Sequence, residues 1–148
     1  MNVLNQMTLE FPSRSANEAF ARTAVACFAA QMDPTVEELN DIKTAVSEAV
    51  TNCIVHAYAD RIGKIILKAR ILDDGILDLT VKDKGCGICD VERARTPMFT
   101  TGGAERSGMG FTIMESFMTS VRINSQPGKG TTVHMKRRIV RRGSRIEG

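Results

Sequence analysis

The sequence predicts an α/β (α+β) two-layer sandwich, in which a mixed, mostly antiparallel sheet carries helices on one face. Three observations predict it. The 148 residues suffice for one compact domain, two stretches carry hairpin patterns, and three stretches carry apolar residues at helical spacing. Each helix must bury one stripe and the sheet must bury one face, so the two layers are expected to pack against each other.

The first three elements are predicted to be a strand and two helices. Apolar and polar residues alternate up to Pro12, which ends the strand. Capping-box patterns over 15–18 and 35–38 each predict the start of a helix, and the second helix is expected to run to about residue 58. The inward residues of the first helix are predicted to be Phe20, Ala24, Val25 and Phe28. Those of the second are Leu39, Ile42, Val46, Ala49 or Val50, Cys53 and Ala57.

The rest of the chain reads as two hairpins with a helix between them. Residues 64–72 and 76–83 flank Asp73-Asp74-Gly75, a turn signal because glycine tolerates positive φ. A third helix is expected over 108–118, and the second hairpin pairs 121–126 with 131–137. No period is sustained between residues 84 and 107.

Charge is concentrated at the C-terminal end of the chain. The net charge is +3, yet the last 13 residues hold six basic residues and one acidic residue. We therefore predict one domain over 1–136 and a basic, disordered tail over 137–148. The slightly acidic body, with six Phe, one Tyr and no Trp, argues against direct binding of nucleic acid.

Neither a secretion signal nor a membrane segment is apparent. No apolar run approaches the roughly 20 residues that a membrane helix needs, and the first residues lack the basic and apolar pattern of a signal peptide. The four cysteines are therefore expected to be free thiols in a reducing cytoplasm.

The second predicted helix carries a polar stripe. Glu48, Asn52 and His56 follow one another at intervals of four, which places them within about 80° of one another on a helix. A solvated helix face is one interpretation. Few other side chains between 45 and 57 are polar, and this favours the other interpretation, a helix that borders a cavity.

Asp83 continues the phase of the apolar residues that face the core in its strand. A carboxylate on the buried side needs a partner. Alternatively, the strand ends at Lys82 and Asp83 caps the turn. Gly85 and Gly87 follow at once, and glycines let the backbone pass close to another group.

A glycine-containing loop leads into the third predicted helix. Backbone amides at a helix N-terminus, together with the helix dipole, bind phosphate readily. Gly108-Met-Gly110 alone is a weak signal, because a flexible loop explains it equally well.

In order and spacing, these motifs together resemble the nucleotide-binding boxes of one ATPase family. The set comprises Glu48-xxx-Asn52-xxx-His56, Asp83-x-Gly85-x-Gly87, Gly108-x-Gly110 and Gly128-x-Gly130-Thr131. That family groups gyrase B, Hsp90, histidine kinases and the mismatch-repair ATPases. Over about residues 7–136, the phrases KTAVSEAVTNCIVHAY, MFTT and ERSGMGFTIMESFM are similar to its bacterial anti-sigma serine kinases. The resemblance implies a Bergerat-type ATP-binding fold.

The resemblance also implies how adenine is bound. Asp83 would accept the adenine amino group and so select ATP over GTP. Gly85 and Gly87 would let the backbone lie against the base, and Thr131 would support Asp83 or a water beside it.

At the triphosphate end, Asn52 resembles the family's Mg²⁺ ligand, a neutral oxygen suited to a hard cation. Gly108 and Gly110 would cradle the phosphates beneath a lid formed by about residues 88–107. Arg106 is a candidate phosphate clamp, because a guanidinium binds two oxygens at once.

The function implied is that of an anti-sigma factor with protein serine/threonine kinase activity. It would inhibit a sporulation sigma factor of the sigma-F type and phosphorylate the anti-anti-sigma antagonist on serine, with Glu48 as general base. The resemblance further implies a homodimer. Arg22, a charge within the otherwise apolar first helix, is either a contact for the protein partners or an ordinary surface arginine. The alternatives are an ATP-binding anti-sigma module without phosphoryl transfer, or a stress-response anti-sigma kinase with a different sigma partner.

Cys86-Gly-Ile-Cys89 competes with this interpretation, because a CxxC pair also suggests a redox dithiol or half of a zinc site. Cys27 and Cys53 supply no second pair, and both are predicted to lie on buried helix faces. We therefore expect no metal or redox function, and we expect His134, on a strand, to be structural.

Overall fold

The computed structural model describes residues 2–86 and 104–140, with side chains from residue 111 onward in the second range. The strands are β1 (Val3–Pro12), β2 (Lys64–Leu72), β3 (Ile76–Asp83), β4 (Ser120–Gln126) and β5 (Gly130–Arg138). The helices are α1 (Ala16–Ala29), α2 (Val36–Asn52) and α3 (Ala104–Phe117), with a 3₁₀ turn at Ala30–Met32 and a π turn at Cys53–Ala57.

The strands form one sheet in the order β1-β2-β3-β5-β4. Every pairing among these five strands is antiparallel. The two-layer α+β prediction is confirmed, and both predicted hairpins form. Gly75 has a φ of 84° in the first of these turns, which explains the glycine there.

The core lies between the sheet and the helices. Side chains that alternate along each central strand are buried on this side, as Leu67, Leu79 and Val133 illustrate. Helix α2 supplies Ile42 and Val46 to the same core. The same alternation places Asp83, at the end of β3, on this helix side of the sheet.

The structure corrects three predictions about α1. Ser15 makes no side-chain cap bond, and Glu18 instead accepts a hydrogen bond from Ser47 Oγ on α2 at 2.5 Å. The predicted capping box is therefore wrong. Phe20 is 52% exposed, because the buried stripe begins one residue later, at Ala21. Cys27 is also exposed.

The predicted start of the second helix is confirmed, but its end is not. Thr35 and Glu38 form the full capping box. Regular α-helix stops at Asn52, and the next residues form the π turn rather than a continuous helix to residue 58. Similarly, α3 begins at Ala104 and not at residue 108.

The sheet face away from the helices carries a polar network across four strands. Asp78, only 2% exposed, accepts hydrogen bonds from Arg70 and from His134 Nε2. Arg122 lies 3.0 Å from His134 Nδ1. An arginine only donates, so His134 must accept through Nδ1 and carry its proton on Nε2. The structural role predicted for His134 is confirmed.

The C-terminal end of the described chain is tied to the helices. Arg137 donates to Asp41 on α2 at 2.8 Å and to the carbonyl of Phe117 at the end of α3. Glu38 accepts a hydrogen bond from the backbone N–H of Val140 at 3.1 Å. Strand β5 itself ends at Arg138, so the sheet extends past residue 136, the domain end predicted from the sequence.

Among the helices that can be assessed, none has the length and apolar character needed to cross a membrane.

Candidate functional site

Asp83 ends β3 with its side chain buried on the helix side of the sheet, as its phase predicted. It is 5% exposed. Its Oδ1 accepts hydrogen bonds from the backbone N–H groups of Gly85 at 2.9 Å and Thr131 at 3.2 Å. Its Oδ2 accepts one from the Cys53 thiol, with sulfur and oxygen 3.5 Å apart. Asp83 is therefore the last residue of the strand and caps the following turn through Gly85, and it also joins Thr131 and Cys53 in one polar site.

Burial dominates the protonation of this carboxylate and its thiol neighbour. Removal from water raises the pKa of Asp83, and the donors on Gly85, Cys53 and Thr131 offset part of that rise. Burial, followed by the charge of Asp83, raises the pKa of Cys53 well above its usual value. The thiol therefore keeps its proton and acts as the donor to Asp83.

Asn52 is the last residue of α2 and is 9% exposed. Neither its side-chain oxygen nor its nitrogen has a hydrogen-bond partner in the part of the chain that the structure describes. Leaving a buried amide without a hydrogen-bond partner costs about 1–3 kcal/mol, so a ligand that bonds to this amide would be favoured. The oxygen suits a hard cation.

The π turn at Cys53–Ala57 follows Asn52 directly and is hydrogen-bonded to the chain beside Asp83, so it connects Asn52 with Asp83. The carbonyl of Cys53 accepts from the N–H of Tyr58 at 3.0 Å, an i to i+5 bond that widens the turn. The carbonyl of Ala57 accepts from the N–H of Cys86 at 3.2 Å. A Cβ on Gly85 would lie 2.3 Å from that same carbonyl, so only glycine fits where β3 leaves the sheet.

Tyr58 is a residue that sequence reasoning missed. Its hydroxyl donates to the carbonyl of Lys64 at 2.7 Å and accepts from the N–H of Lys84 at 2.6 Å. Burial is the main cause that raises the pKa of Tyr58. Tyr58 thereby ties the start of β2 to the residue after Asp83. One feature of the sequence could have drawn attention to Tyr58: it is the single tyrosine of the chain.

Thr131 lies opposite Asp83 in the β3–β5 register. Its hydroxyl lies 2.8 Å from that of Ser125, which the sequence analysis did not single out. Gly130 has a φ of 92°, and a Cβ there would lie 2.2 Å from the Asp83 carbonyl. The Gly130-Thr131 pair therefore belongs to the wall of the Asp83 site.

Glu48 lies one helical turn before Asn52 and is half-buried. The spacing therefore places Glu48 on the face of α2 that carries the unsatisfied amide. His56 falls in the π turn, so the regular helical phase that predicted one stripe of three residues ends at Asn52.

The other predicted residues are spread more widely. Gly108 and Gly110 lie inside α3 rather than at its first turn. The side chain of Arg106, as well as Gly87 and Cys89, falls outside the described residues. Arg22, on α1, is 38% exposed at its side chain and pairs with Glu18 at 3.6 Å.

Among the described residues, no group of three His, Cys, Asp or Glu side chains is placed to hold a metal. A cation at Asn52 would therefore take most of its ligands from phosphate and water. This pattern is typical of Mg²⁺ bound together with a nucleotide.

The chain is similar to known proteins over most of its length. Residues 11–137 match the family described as "Histidine kinase-like ATPase domain". A protein of Caldanaerobacter subterraneus subsp. tengcongensis named "Anti-sigma F factor" is 58% identical over 142 residues, 95% of this chain and 99% of its own length. The protein of that name from Geobacillus kaustophilus is 54% identical over 138 residues, 93% of this chain and 94% of its own.

Solved structures show the same fold. The RsbU and RsbW domains of a Mycobacterium tuberculosis protein match 93% of this chain with a TM-score of 0.70 at 21% identity. This chain covers 33% of that longer one. A blue-light activated histidine kinase domain from Erythrobacter litoralis matches 70% of this chain, and 46% of its own, with a TM-score of 0.54 at 26% identity.

Proposed function

The chain belongs to the histidine kinase-like ATPase domain family, and from that premise we propose that it is an anti-sigma factor that uses ATP to phosphorylate a protein on serine. The proposed ATP site rests on one observation, namely that Asp83 is linked through Cys53 to Asn52, the preceding residue of the chain. A buried carboxylate and an unsatisfied buried amide lie at the two ends of one short connection, Asn52 to Cys53 to Asp83.

Adenine binds at the Asp83 end. Two backbone N–H groups already occupy Oδ1, whereas Oδ2 accepts only from the Cys53 thiol among the described residues and keeps a lone pair for the adenine amino group. Guanine would present an oxygen there and be repelled by the carboxylate. Gly85 and Gly87 let the base approach the backbone, and Thr131 supports the carboxylate.

The triphosphate and Mg²⁺ bind at the Asn52 end. When bound, Mg²⁺ neutralises charge on the phosphates. Asn52 would supply one neutral oxygen as a ligand, which would give its buried Oδ1 a partner. Arg106, Gly108 and Gly110, all within α3, would contact the phosphates.

Glu48 is the proposed general base. Its carboxylate accepts the hydroxyl proton of the substrate serine while the serine oxygen bonds to the γ-phosphorus. The bond from that phosphorus to the bridging oxygen of the β-phosphate breaks, so the products are phosphoserine and ADP. Positioning supplies most of the rate in such reactions.

The protein partners are a sigma factor of the sigma-F type and its anti-anti-sigma antagonist, the phosphorylated substrate. The names of the relatives support the first. We further propose a homodimer, and Arg22 as a contact for partner proteins, since its side chain is partly exposed on α1.

The test combines calorimetry with Mg²⁺ and ATP and a transfer assay using labelled ATP and the antagonist protein. Glu48→Ala is expected to retain ATP binding and to lose about 100-fold or more of the serine phosphorylation rate. Glu37→Ala is the matched control, because Glu37 is an exposed glutamate on the same helix. Absence of ATP binding by the folded wild type would refute the site. Binding without transfer would favour a module that only binds ATP.

A further inference from the structure

The two oxygens of Asp83 have different surroundings. Oδ1 is held by the two backbone N–H groups of Gly85 and Thr131. Among the described residues, the donor to Oδ2 is a single side chain, Cys53. Within the part of the chain that the structure describes, Oδ2 is therefore oriented by one thiol.

The backbone holds that thiol in place. Cys53 is 3% exposed and begins the π turn directly after Asn52. Its carbonyl is engaged by the N–H of Tyr58 at 3.0 Å, and the Tyr58 hydroxyl in turn binds the N–H of Lys84, next to Asp83. Cys53 and Asp83 are thus linked both directly and through Tyr58.

We infer that Cys53 is a positioning residue for purine recognition, whose thiol orients Asp83 Oδ2 so that the site accepts adenine and rejects guanine. This inference rests on the proposed function, because it requires that adenine binds at Asp83. With Oδ1 anchored by the backbone, the thiol holds the plane of the carboxylate. One lone-pair direction of Oδ2 then remains for the amino group of the base.

Loss of the thiol affects the two purines oppositely. An unanchored carboxylate tilts and forms a weaker bond to the adenine amino group, whereas the repulsion of the guanine oxygen is relieved. A cysteine that only filled space would leave the preference between the two purines unchanged, although it would alter stability.

The experiment measures the ratio of ATP to GTP affinity, with Mg²⁺ present, for wild type, Cys53→Ala and Cys53→Ser. We expect Cys53→Ala to lower the ratio about fivefold, the effect of losing one hydrogen bond. Cys53→Ser should recover at least part of it, because a hydroxyl also donates. Cys27→Ala, at an exposed cysteine on α1, should leave the ratio unchanged.

An unchanged ratio in Cys53→Ala would overturn the inference. If that variant does not fold by circular dichroism, Cys53→Val, which has no donor, replaces it, and equal ratios for Val and Ser would overturn the inference equally. Failure of the wild type to bind ATP would instead refute the proposed function, so the two failures are distinguishable.

Discussion

Asn52 buries a carboxamide whose oxygen and nitrogen both lack partners among the described residues. Replacement by leucine, which has nearly the same shape, removes the orphaned polar atoms. We expect Asn52→Leu to raise the free energy of unfolding without ligand by about 1–2 kcal/mol and to abolish Mg²⁺-dependent ATP binding. Denaturant unfolding and calorimetry measure the two effects.

Asn40→Leu is the matched control for this prediction, because Asn40 is an exposed asparagine on the same helix. It should change neither quantity appreciably. A decrease in the free energy of unfolding of Asn52→Leu, as large as that caused by a cavity in the core, would contradict this prediction. It would mean that the amide stabilises the protein without a ligand.

Asp83 should make stability depend on pH in a specific direction. Its pKa is raised in the folded state, chiefly by burial, so the folded protein binds a proton more readily than the unfolded chain does. The stabilisation from that proton is present below the unfolded pKa of about 3.9 and is lost as the pH rises through the folded pKa. Between the unfolded and the folded pKa of Asp83, the unfolding free energy of the wild type should therefore fall as the pH rises, relative to that of Asp83→Asn. Urea titrations at a series of pH values measure the difference, and a change of the opposite sign would contradict it.

At the scale of elements, the π turn is what sequence periodicity could not predict. Residues 53–58 continue the apolar spacing of an α-helix, so a helix to about residue 58 was the natural prediction. The extra residue per turn arises from tertiary contacts, namely the bonds of Ala57 and Tyr58 to the chain around Asp83. Such turns often occur at functional sites.

The polar network on the sheet face without helices also lies beyond sequence reasoning, because it depends on the register of four strands. Asp78 is buried there against Arg70 and His134. We expect Asp78→Ala to lower the free energy of unfolding by about 1–3 kcal/mol, because it leaves the Arg70 guanidinium and the His134 Nε2–H without their acceptor. Asp60→Ala, at an exposed aspartate outside the sheet, should cost little. A small effect at Asp78, measured by urea unfolding, would contradict a network that holds the strands together.

At the scale of the whole molecule, alternation and turn glycines predicted both hairpins and the two-layer fold, because those signals are local. The phase of Asp83 predicted its burial for the same reason. The partners that orient Asp83 came from outside β3: Thr131 lies 48 residues later and Cys53 lies 30 residues earlier. Contacts between residues so far apart in the chain leave no local sequence pattern. For the same reason, no pattern in the sequence pointed to Tyr58 or Ser125.

The hydrogen bond from the Thr131 N–H to Asp83 has a consequence for the protein during its synthesis. Strand β3 is translated well before β5, yet the wall beside the Asp83 carboxylate is complete only when β5 has joined β3 in the middle of the sheet. A nascent chain on the ribosome must therefore expose this acidic group to water until β5 has emerged and paired with β3. Nucleotide in the cell then meets a complete Asp83 wall only after this late, long-range strand pairing has formed.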